Sequence, residues 1–259
     1  MFLAHLNWQE AESVLKAKDL VVIIPLGSTE QHGPLGPLGT DFIIPQHLAE
    51  QIEAKTKALV VPTMPFGVAA HHTDFPGTID IGLEGLTCVM RGVVENLMKH
   101  GARRFLFLNG HGGNDPALDK VGLETFRAGG LCAQINWWSL APALNSQWIT
   151  GHGDAQEVAM IRAIDNSLIR DDSLIPTTVN HLSAELHNTH LNQVRFGNAA
   201  VKVIRDVRST VNSGGFGGLE SGLGTQEWGK EMLEAVVDYC VGFVEAFRQV
   251  DIEGAHRHV

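Results

Sequence analysis

The stretch Val21–Asp41 reads VVIIPLGSTEQHGPLGPLGTD and changes character halfway along. Its first half is a continuous run of β-branched and aliphatic residues, the pattern of a strand buried on both faces. Its second half is a glycine- and proline-rich loop carrying Glu30, His32 and Asp41. Glu30 and His32 are two apart, so on an extended backbone they face the same side, with Thr29 and Gln31 facing away. Gly33, Gly36 and Gly39, with Pro34 and Pro37, then turn the chain sharply enough to return Asp41 to the same point. Two carboxylates and an imidazole form a mixed oxygen and nitrogen donor set. It suits Zn, Mn or Fe better than calcium or a thiolate-loving metal. The same residues also fit a polar loop leading into a helix capped at Thr40 or Asp41.

Outward from this stretch, strand and helix patterns alternate. Asn7 is placed to cap a first helix running to about Lys18. Leu20–Leu26 is the first strand. A helix is expected within Ile44–Lys55, with Pro45 in its first turn. Ala58–Pro62 is a second short strand, opening into a loop that carries His71 and His72. Leu83–His100 has helical spacing and stops at Gly101. Arg104–Leu108 is a third strand, running directly into NGHGGN (Asn109–Asn114). Asp115 and Pro116 start a helix to about Ala128, and Leu131–Trp137 is a fourth strand ending at the pair Trp137–Trp138.

This βαβαβαβ order predicts an α/β fold: a mostly parallel sheet flanked by helices on both faces. In such sheets ligands sit beyond the carboxyl ends of the strands. The loops holding Glu30, His32 and Asp41, then His71 and His72, then His111, then the tryptophans therefore share one sheet edge. Beyond Trp138 the pattern loosens. A helix is expected from about Asp154, a strand signal covers Val201–Val207, and residues 212–224 read as a glycine-rich lid or connection. Thr225 caps a final amphipathic helix to about Arg248. No repeat is visible, and one domain spanning residues 1–259 is the expectation.

The composition, 44% hydrophobic and 19% charged, is that of an ordinary globular chain. A formal net charge of −10 argues against sequence-independent binding to nucleic acid or to an anionic membrane, both of which need a basic face. Cys88, Cys132 and Cys240 show no paired spacing, which fits a reducing compartment and offers no zinc–cysteine site. No stretch reaches the roughly 18–20 apolar residues of a membrane span, so the expected location is the cytoplasm. Histidine is abundant, with 13 against a single tyrosine.

Two further constellations carry chemistry. His111 stands between glycines at the end of a buried strand and reads as a metal ligand. The competing reading is a phosphate-cradling loop, but NGHGGN matches neither common phosphate motif and holds no Lys or Arg. In GHGDAQE (Gly151–Glu157), Asp154 with Glu157 three residues on resembles a capping box. That accounts for Glu157 but not for His152 or Trp148. His71 and His72 fit a pocket mouth or an ordinary loop. Trp137 and Trp138 fit a pocket floor or core packing. His181, His187 and His190 read as surface or subunit-contact residues.

Taken together, STEQHGPLGPLGTD, the FPGT of Phe75–Thr78, NGHGGN, and Trp148, His152 and Glu157 at their spacing resemble the creatininase (creatinine amidohydrolase) family. The resemblance is carried by residues 1–157 and by the final helix. It implies a three-layer α/β/α fold and a homo-oligomer, a hexamer being the suggested assembly. It also implies a hydrolase with two divalent metal ions per subunit, Zn, Mn or Fe. On that resemblance Asp41 bridges the metals, Glu30 and His111 complete one site, and His32 binds the other. His152 resembles a proton shuttle, Glu157 an acid supporting the metal-water site, and Trp148 a substrate-stacking aromatic. Gly112 and His72 join Trp148 as substrate-side residues. Two positions depart from the family: Gly113 stands where creatininases have a metal-binding glutamate, and Ala69 where they have a substrate-binding serine. The second metal site is therefore expected to be weak, or to recruit Glu157 or water.

The implied activity is hydrolysis of a C–N amide bond, in creatinine or a related small amide or formamide, by a metal-bridged hydroxide. A catalytically impaired small-molecule binding protein on the same fold is the alternative. A nucleotide or sugar-phosphate enzyme using NGHGGN as its phosphate loop is a third reading.

Overall fold

Strand β1 (Val21–Leu26) is buried along its whole length, and its side chains divide between two separate cores. Val21 and Ile23 join one cluster, while Val22, Ile24 and Leu26 join the other. Strand β3 (Arg104–Asn109) divides the same way, Leu106 and Leu108 against Phe105 and Phe107. Alternation of successive side chains across a strand produces this two-sided burial. Each fully buried aliphatic or aromatic side chain contributes about 1.5–3 kcal/mol. The computed structural model describes residues 1–148, 151–217 and 224–256.

The main sheet has the order β2-β1-β3-β4, with β2 at Leu59–Val60 and β4 at Leu131–Asn136, and all three pairings are parallel. One face is covered by α2 (Thr40–Lys55), α6 (Ala155–Asp165) and α8 (Gln226–Arg248). The other is covered by α3 (Gly82–Lys99) and α4 (Asp115–Arg127). The expected layered α/β architecture is therefore present. Asn7 caps α1 (Trp8–Leu15) through a reciprocal capping box with Glu10, and the Thr225 hydroxyl accepts from the Trp228 amide at the start of α8. Among the described residues no helix is long and apolar enough to cross a membrane.

Several boundaries differ from the sequence expectations. Helix α2 starts at Thr40 rather than near Ile44, so Asp41 lies in its first turn and Pro45 in its second. Pro45 has no N–H to offer the carbonyl of Asp41 four residues earlier. That carbonyl packs against Gly27 and Gly110, where a Cβ would come within 2.1 and 1.8 Å of it. Glycine at the ends of β1 and β3 thus lets the first turn of α2 reach the sheet edge. Trp137 and Trp138 do not end a strand; they open α5 (Trp137–Leu144). The strand signal at Val201–Val207 is misplaced. A three-stranded antiparallel sheet holds β5 (His187–His190), β6 (Gln193–Phe196) and β7 (Ala199–Lys202), and Val207 begins the short helix α7 (Val207–Thr210). The sequence there alternates over too few residues to fix its boundaries. In the glycine-rich stretch, residues 218–223 lie outside the described residues. Phe216 exchanges backbone hydrogen bonds of 2.8 and 2.7 Å with His152.

Candidate active site

The carboxyl ends of β1, β3 and β4 are in register, Leu26 opposite Asn109 and Asn109 opposite Asn136. The loops beyond them therefore converge. Glu30, His32, Asp41 and His111 are all buried there, and His152 and Glu157 reach them from the start of α6.

Each of two histidines is fixed by one nitrogen and aimed by the other. His32 Nδ1 lies 3.0 Å from the Glu30 carbonyl, to which it donates, and Nε2 lies 2.9 Å from Asp41 Oδ1. His111 Nε2 donates to the Val68 carbonyl at 2.9 Å, and its Nδ1 lies 3.2 Å from Glu30 Oε2 and 3.1 Å from Asp41 Oδ2. Backbone carbonyls that hold one imidazole nitrogen leave the other as a lone-pair donor, the arrangement found behind metal-ligating histidines. Asp41 lies between the two rings and presents one oxygen to each.

The carboxylates are poorly satisfied by the protein. Both oxygens of Glu30 and Oδ2 of Asp41 are buried without a hydrogen-bond partner. Buried carboxylate oxygens without donors are costly unless a cation meets them. Donor atoms of Glu30, Asp41 and His111 fall within 4.8 Å of one another, and so do those of His32, Asp41 and Glu157. Glu30, His32 and His152 form a third such group. The residues present therefore fit two cations sharing Asp41.

Electrostatics follow from burial and mixed charge. Burial raises the pKa of Glu30, against the pull of His111. Burial pushes Asp41 upward too, but His32 and His111 outweigh it and hold the carboxyl well below the usual range. For His32 burial acts downward, but the Asp41 and Glu157 carboxylates prevail and lift it to about 10. His111 is raised as well, Glu30 and Asp41 overcoming its burial. Burial pushes Glu157 up to about 8. His152 moves the other way, its burial and the neighbouring His32 keeping it neutral. Burial and His152 do the same to His72.

Glu157 does not complete a capping box. Asp154 caps α6 by accepting from the Gln156 amide at 3.0 Å, whereas Glu157 Oε2 accepts from the Gly153 amide at 2.6 Å and stands 3.8 Å from His32 Nε2. At Gly113 there is no room for any side chain. A Cβ would lie 2.1 Å from the Val68 carbonyl oxygen and 2.5 Å from His111 Nε2. Among the described residues Glu157 supplies the second carboxylate on the His32 side.

A cavity of about 580 Å³ opens onto this cluster, bordered by His72, Gly112, His152 and Glu157. Trp148 is not part of it. Trp148 is buried in the core on the face of the sheet covered by α2, α6 and α8, and Trp138 lines the cavity instead. His190, expected at the surface, also lines the cavity, on a wall contributed by the antiparallel sheet together with Lys202 and Arg205. Sequence reading missed Lys202, Arg205 and Gln31. Gln31, expected to face away from Glu30 and His32, reaches the site instead: its Nε2 donates to His72 Nδ1 at 2.8 Å and lies 2.8 Å from His152 Nε2. Its polar side chain between two candidate ligands was the available signal. Lys202 and Arg205 offered none beyond strand alternation.

A family model described as creatininase, creatinine amidohydrolase, matches residues 4–244. The creatinine amidohydrolase of Pseudomonas putida is 26% identical over 201 residues, 68% of this chain and 76% of that protein. The mycofactocin precursor peptide peptidase of Mycobacterium tuberculosis (strain CDC 1551 / Oshkosh) is 41% identical over 119 residues, 39% of this chain but only 45% of the peptidase. A solved manganese form of creatininase superposes with a TM-score of 0.75 at 23% identity, covering 96% of this chain and 99% of that one. With the family model spanning nearly the whole sequence, the chain belongs to the creatininase family.

Proposed function

We infer that this protein is a hydrolase of C–N amide bonds that works with two divalent cations on a small amide or formamide. The bond class follows from family membership and from relatives named as an amidohydrolase and a peptidase. The observation that carries the metal reading is Asp41, which presents one oxygen to His32 and the other to His111 among carboxylate oxygens that lack hydrogen bonds. Glu30, His111 and Asp41 would hold one ion; His32, Glu157 and Asp41 would hold the other. Zn and Mn both suit such oxygen and nitrogen sets. Bound cations of this kind acidify water and polarise a carbonyl oxygen.

The chain's own groups supply orientation and proton transfer. His152 Nε2 is held by Gln31, lying 2.9 Å from its carbonyl and 2.8 Å from its side-chain nitrogen. His152 Nδ1 has no hydrogen-bond partner among the described residues, so it is the nitrogen available to carry a proton to the departing amine. Burial keeps the ring neutral, so its free nitrogen carries a lone pair. General acid–base help of this kind contributes about 10²–10⁴ in rate. Glu157, with its raised pKa, is suited to take a proton from attacking water.

The cavity volume, about 580 Å³, lies in the range of pockets that enclose drug-sized ligands. The phosphate-loop alternative is weaker, because Glu30 and Asp41 crowd His111 and the loop's side chains bond one another, Asn114 Nδ2 to Asn109 Oδ1 at 3.1 Å. The test is hydrolysis of a panel of small amides and formamides, creatinine included, by chelator-treated protein before and after Zn or Mn is restored. Turnover that returns only with metal is expected. Full turnover by metal-free protein, or none by the loaded protein, would overturn the reading and favour a binding protein.

A further inference from the structure

The cavity lining holds two groups of opposite charge. Glu30, Asp41 and Glu157 form one; Lys202, at the end of β7, and Arg205 just beyond it form the other. Neither cation has a carboxylate partner among the described residues, although the chain holds 29 acidic residues against 19 basic ones. Arg205 is oriented by one hydrogen bond, Nη2 to Asn188 Oδ1 at 3.0 Å, and its Nε is buried without an acceptor. Asn188 is itself buried on β5, so the guanidinium is held by the sheet and does not swing freely. Ile204, between the two cations, is 83% exposed and presents an apolar surface on the same wall.

A guanidinium positioned by Asn188, lining the same cavity as an ammonium that lacks a carboxylate partner among the described residues, is a site for an anionic oxygen group. In the loaded enzyme the cations take up the charge of Glu30, Asp41 and Glu157, so a molecule whose amide lies at the cations can place an anion on Lys202 and Arg205. We propose that the substrate carries a carboxylate or phosphate remote from the scissile amide, and that Arg205 and Lys202 bind it. The proposal rests on the amide-hydrolase reading for the identity of the other end. Arg205 is a specificity residue here, and the proton-moving groups remain His152 and Glu157.

Three formamides of similar length separate the possibilities: N-formylglycine, N-formylethanolamine phosphate and neutral N-formylethanolamine, assayed with the metal-loaded full chain. An anionic probe is expected to exceed the neutral one in kcat/KM by about 10–100-fold, the worth of one or two charge-assisted hydrogen bonds. Whichever anionic probe gains more identifies the group. Arg205→Met and Lys202→Met should each raise KM for that probe, leave kcat and metal content unchanged, and leave the neutral probe unaffected. Lys202 is exposed, so its variant keeps the test valid if Arg205→Met folds poorly. Equal kcat/KM for all three probes, or a preference untouched by both variants, overturns the subsite while leaving the hydrolase reading intact. If no formamide is cleaved, calorimetric binding of the same probes decides. Arg205-dependent binding of an anion sustains the subsite and counts against hydrolysis; failure of all three to bind overturns the subsite.

Discussion

His32 presents Nε2 to Asp41 Oδ1 at 2.9 Å because its Nδ1 is tied to the carbonyl of Glu30, only two residues back. One short loop thereby supplies a ligand, the group that orients it and a second candidate ligand. His111 repeats the arrangement from β3, with Val68 as the anchor. Asp41 is where both halves meet, so Asp41→Asn should lower metal occupancy at both sites. Activity should drop more than about 100-fold, the upper range for losing even an outer-shell partner. Metal analysis beside kinetics checks this; an Asn variant with full metal and full rate would contradict it.

In the metal-free protein, stability should fall as pH rises. His32 has a folded-state pKa of about 10, raised above the unperturbed value near 6.5. The folded state therefore holds the His32 proton more tightly than the unfolded state. The resulting stabilisation is complete below pH 6.5 and is lost as pH climbs towards 10. Glu157, raised to about 8, adds a decline of the same sign beginning near its unperturbed value of about 4.3. Thermal melts of chelator-treated protein between pH 6.5 and 10 should show a falling Tm, and His32→Gln should flatten the upper part of that slope. An unchanged slope in the variant would refute the assignment.

Gly113→Ala should damage the His111 site without replacing a ligand. The added methyl would stand 2.1 Å from the Val68 carbonyl oxygen and 2.5 Å from His111 Nε2, displacing the bond that orients the ring. Overpacking of this kind costs about 1–3 kcal/mol. Loss of the second partner should also weaken metal binding about 10–100-fold. Chemical denaturation and metal titration would show both effects; a variant as stable and as metal-avid as the parent would exclude this role for Gly113.

His152→Asn should retain metal and fold but slow turnover by about 10²–10⁴-fold, the contribution of a positioned acid–base group. Metal loss equal to that of an Asp41 variant would instead make His152 a ligand, through its proximity to Glu30 and His32.

Much of this was legible in the sequence for identifiable reasons. The continuous apolar runs at Val21–Leu26 and Arg104–Leu108 announced strands buried on both faces, and alternation placed their side chains in two cores. The parallel order then places Glu30, Asp41 and His111 at one sheet edge. The helix cap expected at Thr40 or Asp41 lies close to the start of α2 at Thr40, but the approach of that turn to Gly27 and Gly110 is tertiary and invisible to local pattern. Nor could that pattern place Trp148, whose burial in the core beneath α2, α6 and α8 depends on tertiary packing. The cationic wall was invisible for a similar reason. Lys202 and Arg205 reach the cavity through a small antiparallel sheet far along the chain from the metal-site loops.

The most direct measurement is metal stoichiometry by equilibrium dialysis with elemental analysis, on the parent chain and on His32→Ala and His111→Ala. Two sites sharing Asp41 predict about two divalent ions per parent chain and about one in each variant, with amide hydrolysis falling in step. A parent chain that binds no ion, or variants that bind as many as the parent, would contradict the shared-carboxylate centre.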